Sequence, residues 1–310
     1  MTPALAAPLF VASIALMLVA SAQFARRLDH VGLRLGLPEA LLGLLTAFAA
    51  DSPEISSAIS ALVQHEHTVA VGVVVGSNAF NLAAMLGLSA VVTARIRAEH
   101  ATFELETVAG LMLLAVLLAL VAGGIGGTAA GALVGAVAVP YVVLLARTPR
   151  RQERAGYSRP EAARLLAVLL LALALIVAGS VGAVRAATDL GQAWSVPQAL
   201  VGVLVLAILT SLPNAWTGVR FGVQGRGSAL ASESLNSNSI NLVAGLAIPA
   251  AFGSFAGFSH LDVFDLAWLF AMTSAAFVLL GRRGGAGRTA GVFLIVLYAV
   301  FVAVQLAASA

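Results

Sequence analysis

Apolar stretches of about twenty residues follow one another along nearly the whole of this chain, with few charges inside them. A helix rising about 1.5 Å per residue needs roughly 20 apolar residues to cross about 30 Å of hydrocarbon. Ten stretches of that size fit, at about 4–25, 37–63, 68–94, 102–123, 128–147, 162–184, 196–220, 228–252, 261–281 and 289–308. The chain has 310 residues, 60% hydrophobic and 10% charged. A soluble domain carries about 25% charge, so this much apolar surface has no place in a water-surrounded core. The fold class that follows is all-α: a polytopic protein with ten transmembrane helices in contact with the lipid bilayer. The first stretch lacks a positive leading segment, and Arg26 and Arg27 come after it, so it reads as a span rather than a cleaved leader.

Lysine is absent, and the basic charge rests on 17 arginines. Arg26, Arg27 and Arg34 follow span 1, and Arg95 and Arg97 follow span 3. Arg147, Arg150, Arg151, Arg154, Arg159 and Arg164 surround the loop after span 5. Arg220 and Arg226 follow span 7; Arg282, Arg283 and Arg288 follow span 9. With ten spans, all but Arg185 fall on one side, which short positive loops mark as cytoplasmic. Both termini are therefore expected outside. A sequence pI near 10.2 would suit a nucleic-acid partner only if the arginines were clustered; dispersed between spans, they set topology, and no nucleic acid is expected. The chain has no cysteine, which excludes disulfides, thiolate metal sites and thiol catalysis. Lipid-facing and packing faces are almost equally apolar, so nothing in the sequence sets an oligomeric state.

The longest polar stretch, Arg147–Pro160, divides the spans into two sets of five. An odd number per half gives the halves opposite orientations, the arithmetic of an inverted repeat. The expected organisation is a first five-helix unit at 1–147, a short Arg-rich loop at 148–160 and a second unit at 161–310. Self-comparison supports a duplication. ADSPEISSAISA (Ala50–Ala61) and VGSNAFNLAAMLG (Val75–Gly87) of the first half correspond to TSLPNAWTGVRF (Thr210–Phe221) and LNSNSINLVAGLA (Leu235–Ala247) of the second. Pro53 matches Pro213, Ser77 matches Ser237, Asn78 matches Asn238 and Asn81 matches Asn241, each 160 residues apart without a gap. The repeated motif occupies about 43–88 and 203–248.

These repeated segments are the most polar parts of otherwise greasy spans. Asp51, Ser52, Pro53 and Glu54 interrupt span 2 near its middle, and Ser211, Pro213 and Asn214 interrupt span 7. Proline removes a backbone donor, and in hydrocarbon the freed carbonyl needs a partner from protein or a water-filled cavity. Helices broken at matching midplane positions point to a binding site between the halves.

At these residues the sequence resembles the cation/calcium exchanger superfamily, most closely prokaryotic sodium/calcium exchangers. That family has two α-repeats, each with a T-S-x-P-E-like break followed by a G-S-N-x-F-N-like segment. GSNAFN (Gly76–Asn81) matches the second element, and SPE (Ser52–Glu54) and TSLPN (Thr210–Asn214) match the first. The resemblance implies a secondary antiporter that uses no cofactor and exchanges small inorganic cations by alternating access, with Na⁺, Ca²⁺ or H⁺ as transported ions. Carried over by position, its ligands are Glu54, Ser77 and Asn81 from the first repeat and Thr210, Ser211, Asn214, Ser237 and Asn241 from the second. The chain departs from the pattern in three places: Asn214 stands where the family usually has glutamate, Asn241 where it often has aspartate, and Asp51 where it usually has serine.

The chemistry of this set suits hard cations, which prefer carboxylate, amide, hydroxyl and backbone oxygens. Asp51 and Glu54, three residues apart, share one face of any local helix, and two carboxylates there neutralise one divalent cation. When the cation leaves they repel, and a proton can take its place, so cation/proton exchange competes with sodium/cation exchange. Asn81 and Asn241 either ligate or bond between helices; Asn78 and Asn238 either ligate or satisfy freed backbone groups. Glu233 is a third acid within a span, beside the ion path or partnered by a neighbouring Ser or Asn. His65-Glu66-His67 lacks the H-E-x-x-H spacing of a zinc site and reads as a solvated loop; Glu99, Glu104 and Glu106 near Arg95 and Arg97 read as a charged interfacial loop, the alternative being a regulatory cation site. The run Gly123–Gly127 reads as a tight turn. No G-x-S-x-G or H-E-x-x-H motif points to an intramembrane enzyme. A passive channel is the remaining alternative, and it predicts uncoupled current.

Overall fold

The computed structural model describes residues 1–35, 39–98, 100–146, 157–249, 260–282 and 284–308. Eight helices among these are long and apolar enough to cross a membrane. They are α1 (Pro3–Arg34), α4 (His67–Thr93), α5 (His100–Gly123), α6 (Gly127–Ala146), α7 (Arg159–Ala193), α8 (Gln198–Val223), α10 (His260–Leu280) and α11 (Arg288–Ala308). The second expected span is two twelve-residue helices, α2 (Glu39–Ala50) and α3 (Ser52–Val63). The eighth is α9 (Gly227–Leu242), prolonged by the π-helical turn Val243–Ala247 and filled with Ser and Asn rather than aliphatic residues. A broken span and a polar one are helices that lipid alone would not stabilise. Both need protein around them.

Burial sorts the helices accordingly. In α4, 94% of the most apolar window is buried, against 28% in α1 and 22% in α7. The central helix therefore meets protein on every side, while α1 and α7 pack together at the periphery and face lipid. Both outer helices run past the apolar stretches expected for them. A capping box at Ser158 and Glu161 starts α7 early. At one end of this helix pair the Arg34 guanidinium lies 3.7 Å from Glu161 and over the Tyr157 ring. At the other end the N-terminal ammonium is 2.9 Å from Asp189.

The proline in span 2 does what its chemistry requires. Pro53 has no N–H to give the Ala49 carbonyl, so that carbonyl accepts hydrogen bonds from the Ser52 hydroxyl at 2.7 Å and the Ser21 hydroxyl at 3.3 Å. The helix turns at Asp51, between α2 and α3. Span 7 behaves differently. Helix Ala207–Val223 runs through Pro213 without interruption, correcting the expectation of matching breaks. Its irregularity comes earlier, as a π-helical stretch at Val201–Leu206, and the Thr210 hydroxyl donates to the Leu206 and Ala207 carbonyls just beyond it. A proline removes one donor, and a helix packed in protein can tolerate that loss without breaking. A second π-helical stretch, Leu82–Leu88 in α4, begins right after Asn81, as Val243–Ala247 begins two residues after Asn241. π-turns often mark functional positions in helices.

Three of the arginine-bearing loops meet. Strand β1 (Arg95–Ile96) pairs antiparallel with β2 (Ala286–Gly287). A Cβ on Gly285, whose φ is +73°, would lie 2.1 Å from the Ile96 carbonyl oxygen, and one on Gly227 would lie 2.3 Å from that of Arg97. The loops after spans 3, 7 and 9 thus close on one another, as the arginine count predicts. Glu99, Arg147, Arg150, Arg151, Arg154 and Arg283 lie outside the described residues.

Candidate functional site

The turn at Asp51 brings two carboxylates into the middle of the bundle. Asp51 and Glu54 are both fully buried, and their hydrogen-bond partners are amides and hydroxyls from the second half of the chain. Asp51 Oδ1 accepts from Asn214 Nδ2 at 2.7 Å and from the Ser237 hydroxyl at 2.6 Å. Glu54 Oε1 accepts from the Ser211 hydroxyl at 2.9 Å and from Asn214 Nδ2 at 3.2 Å. A single Asn214 amide therefore bridges the two acids. Asn81 Nδ2 donates to the Ser237 hydroxyl at 3.2 Å, joining α4 to the same cluster.

Beside this cluster, α4 and α9 are tied by a symmetric contact. Asn78 Nδ2 donates to the Asn238 carbonyl at 3.0 Å, and Asn238 Nδ2 donates to the Asn78 carbonyl at 3.3 Å. Asn241 Nδ2 adds a bond to Asn78 Oδ1 at 3.2 Å. These three asparagines reach one another where α4 also carries small residues at its crossings. At Gly76 a Cβ would sit 2.7 Å from the Val203 carbonyl oxygen and 2.9 Å from the Ala207 Cβ, so glycine sets the approach of α4 to α8.

Every residue carried over as a ligand is buried, and most converge. Ser77 and Thr210 are the exceptions: each donates to its own helix, Ser77 to the Val74 carbonyl at 3.1 Å. They lie one helical turn from Asn81 and Asn214, on the same faces. Glu233 is half-buried on α9, close enough to Asp51 and Arg226 for their charges to interact. His65 and His67 lie exposed around the turn between α3 and α4, and the Gly123–Gly127 run turns between α5 and α6.

What remains unpaired in the cluster is of one kind. Asp51 Oδ2, Glu54 Oε2, Asn81 Oδ1, Asn214 Oδ1, Asn238 Oδ1 and Asn241 Oδ1 are buried oxygens with no hydrogen-bond donor among the described residues. An unmet buried acceptor is costly, and the free oxygens on Asp51 and Glu54 are acceptors that a cation can satisfy. Among the described residues no three His, Cys, Asp or Glu side chains converge as in a resident metal centre. The oxygens are mostly neutral amides, which bind a hard cation without a fixed cage of charge.

One acid was misread in the sequence. Glu106 does not lie in a charged interfacial loop; it is 2% exposed within α5. Both its oxygens lie 2.6 Å from the Ser232 hydroxyl, and Oε1 also accepts from Asn236 Nδ2 at 3.2 Å. The Tyr141 hydroxyl completes the group by donating to Asn236 Oδ1. Its position just beyond a charged loop hid it, yet the polar pair Ser232 and Asn236, four apart on one face of span 8, was the available signal.

A helical bundle with eight helices among the described residues long and apolar enough to cross a membrane, and a buried polar cluster drawn from both halves of the chain, has the build of an integral membrane protein. The chain belongs to the family described as sodium/calcium exchanger protein, whose profile matches residues 5–146 and 164–307. This is a family of antiporters rather than enzymes. The inner membrane protein YrbG of Escherichia coli (strain K12) is 25% identical over 233 residues, covering 69% of this chain and 70% of that protein. The fold is that of the sodium-calcium exchanger NCX_Mj, with a TM-score of 0.68 at 20% identity over 97% of this chain and 99% of that one. It is likewise that of the H⁺/Ca²⁺ exchanger CAX, with a TM-score of 0.78 at 15% identity over 98% of this chain and 84% of that one.

Proposed function

We propose that the protein is a secondary cation antiporter of the sodium/calcium exchanger type, moving Ca²⁺ or a related hard cation against Na⁺ by alternating access. The observation that carries this reading is the buried Asp51–Glu54 pair, bonded by Ser211, Asn214 and Ser237 of the other half of the chain and left with one unpaired oxygen on each acid. A cation seated there satisfies in one step what no protein donor satisfies. In this reading Asp51, Glu54, Asn81, Asn214, Ser237 and Asn241 are the ligands, with Ser77, Thr210 and Ser211 completing the shell. Asn78 and Asn238 act first as structural ties. The ten spans are then two inverted five-helix units, and the protein resides in a prokaryotic inner membrane, as the likeness to YrbG suggests, with both termini outside.

A second reading rests on the shared Asn214 amide. Both carboxylates lean on one donor, so after the cation departs the pair holds two negative charges close together in a buried place. Such pairs share a proton readily, and H⁺ then replaces Na⁺ as the coupling ion, with Asp51 and Glu54 carrying metal and proton in turn.

The experiment is ⁴⁵Ca²⁺ uptake into proteoliposomes under separately imposed Na⁺ and H⁺ gradients. Sodium-driven uptake that disappears in Glu54→Gln, with the variant still folded, is the expected result. Uptake driven only by the pH gradient selects the proton-coupled reading. No calcium movement under either gradient removes calcium as the substrate and sends the test to Na⁺/H⁺ exchange. Normal exchange in Glu54→Gln would remove that residue from the site.

A further inference from the structure

We propose that Glu106 is a positioning residue for the cation site: through Ser232 and Asn236 it sets the rotation of α9 and hence the reach of the Ser237 hydroxyl to Asp51. The inference rests on the exchanger reading and extends it to a residue outside the ligand set.

Helix α9 presents two polar stripes on adjacent faces. Ser237 and Asn241, four apart, face the cation cluster, where Ser237 donates to Asp51 and Asn241 to Asn78. Ser232 and Asn236, also four apart, face α5 and meet Glu106. Asn236 and Ser237 are neighbours in sequence, so the two stripes turn together. A helix that must hold one hydroxyl at 2.6 Å from a carboxylate needs its rotation fixed. Its buried leucines are few, and hydrogen bonds on both polar stripes share the task. The helix reads GSALASESLNSNSINL, with Leu230, Leu235, Ile240 and Leu242 as its large apolar side chains, and small side chains make shallow knobs.

The lever arm is short. With Cα atoms about 2.3 Å from the axis, a hydroxyl lies about 4 Å out, and a 20° turn carries it roughly 1.4 Å. That breaks the Ser237–Asp51 bond. Glu106 opposes such a turn by gripping the neighbouring stripe with both oxygens, and Tyr141 on α6 fixes the Asn236 amide from its other side. Gly110, one turn along α5 from Glu106, allows the close approach: a Cβ there would lie 3.2 Å from the Ser239 hydroxyl. Glu106 touches no cation in this arrangement. It acts through α9.

The test is a double-mutant cycle on half-saturating Ca²⁺ in proteoliposome uptake, or on ²²Na⁺ if the wild type moves sodium alone. Glu106→Ala is expected to raise the half-saturating concentration about tenfold, the size of one lost hydrogen bond to a charged group. Glu106→Gln, whose oxygen still accepts from Asn236 and whose amide can donate to Ser232, is expected to stay within about twofold of wild type. Ser237→Ala should weaken affinity by itself, and adding Glu106→Ala to it should weaken affinity no further. Multiplying effects of the two substitutions would overturn the proposal, because Glu106 would then act independently of Ser237. So would unchanged affinity in Glu106→Ala with only a lower melting temperature, and so would a Gln variant as impaired as Ala. If Glu106→Ala does not fold, Ser232→Ala enters the same cycle with the same expectations. A wild type that moves neither ion sinks the exchanger reading, and this inference with it.

Discussion

At the scale of single residues, the site keeps its negative charge on one half of the chain. Both acids stand at the α2–α3 junction, and Asn214 on α8 holds 2.7 Å from Asp51. A carboxylate at position 214 would therefore lie beside the one at 51. Asp51→Ser is expected to lower divalent affinity or to shift ion preference, and Asn214→Glu added to it should restore binding; calorimetric Ca²⁺ titration in detergent measures both. If the double variant stays as weak as the single one, the two positions are not interchangeable. The polar cluster was legible in the sequence because carboxylates and amides stand out in greasy spans and repeat at a fixed spacing. Glu106 was not. It sits one turn inside α5 beside charged residues of a loop, and its partners are 126 and 130 residues away.

At the scale of helices, the two prolines show how far a local rule carries. Pro53 and Pro213 occupy equivalent places in the repeat, yet only the first coincides with a turn in the backbone. The difference lies in neighbours the sequence does not bring together: Ser21 of α1 takes up the carbonyl freed by Pro53, and a π-helical stretch precedes Pro213. Pro53→Ala restores the donor to the Ala49 carbonyl. It is expected to raise the melting temperature in detergent and to slow exchange, since straightening the junction moves Asp51 off the Ser237 hydroxyl. Faster exchange in that variant would count against a functional turn. The π-stretches after Asn81 and Asn241 were invisible to pattern reading, because one extra residue in a turn does not alter hydropathy.

At the scale of the whole molecule, three of the loops that arginine placement assigns to one side are in contact. The β1–β2 pair and the glycines that press on Ile96 and Arg97 join loops that the span count puts on one side. The chain has no cysteine, so single-cysteine labelling with an impermeant thiol reagent gives a clean check. Arg97→Cys and Ser158→Cys should label from one side of sealed vesicles and Arg185→Cys from the other; labelling of all three from the same side would refute the arrangement. The reciprocal bonds between Asn78 and Asn238 carry a further consequence. If the two halves trade places when access alternates, that contact maps onto itself, each asparagine taking over its partner's role. It is then a fixed point of the transport cycle, a natural origin from which the opening of either face can be measured as displacement.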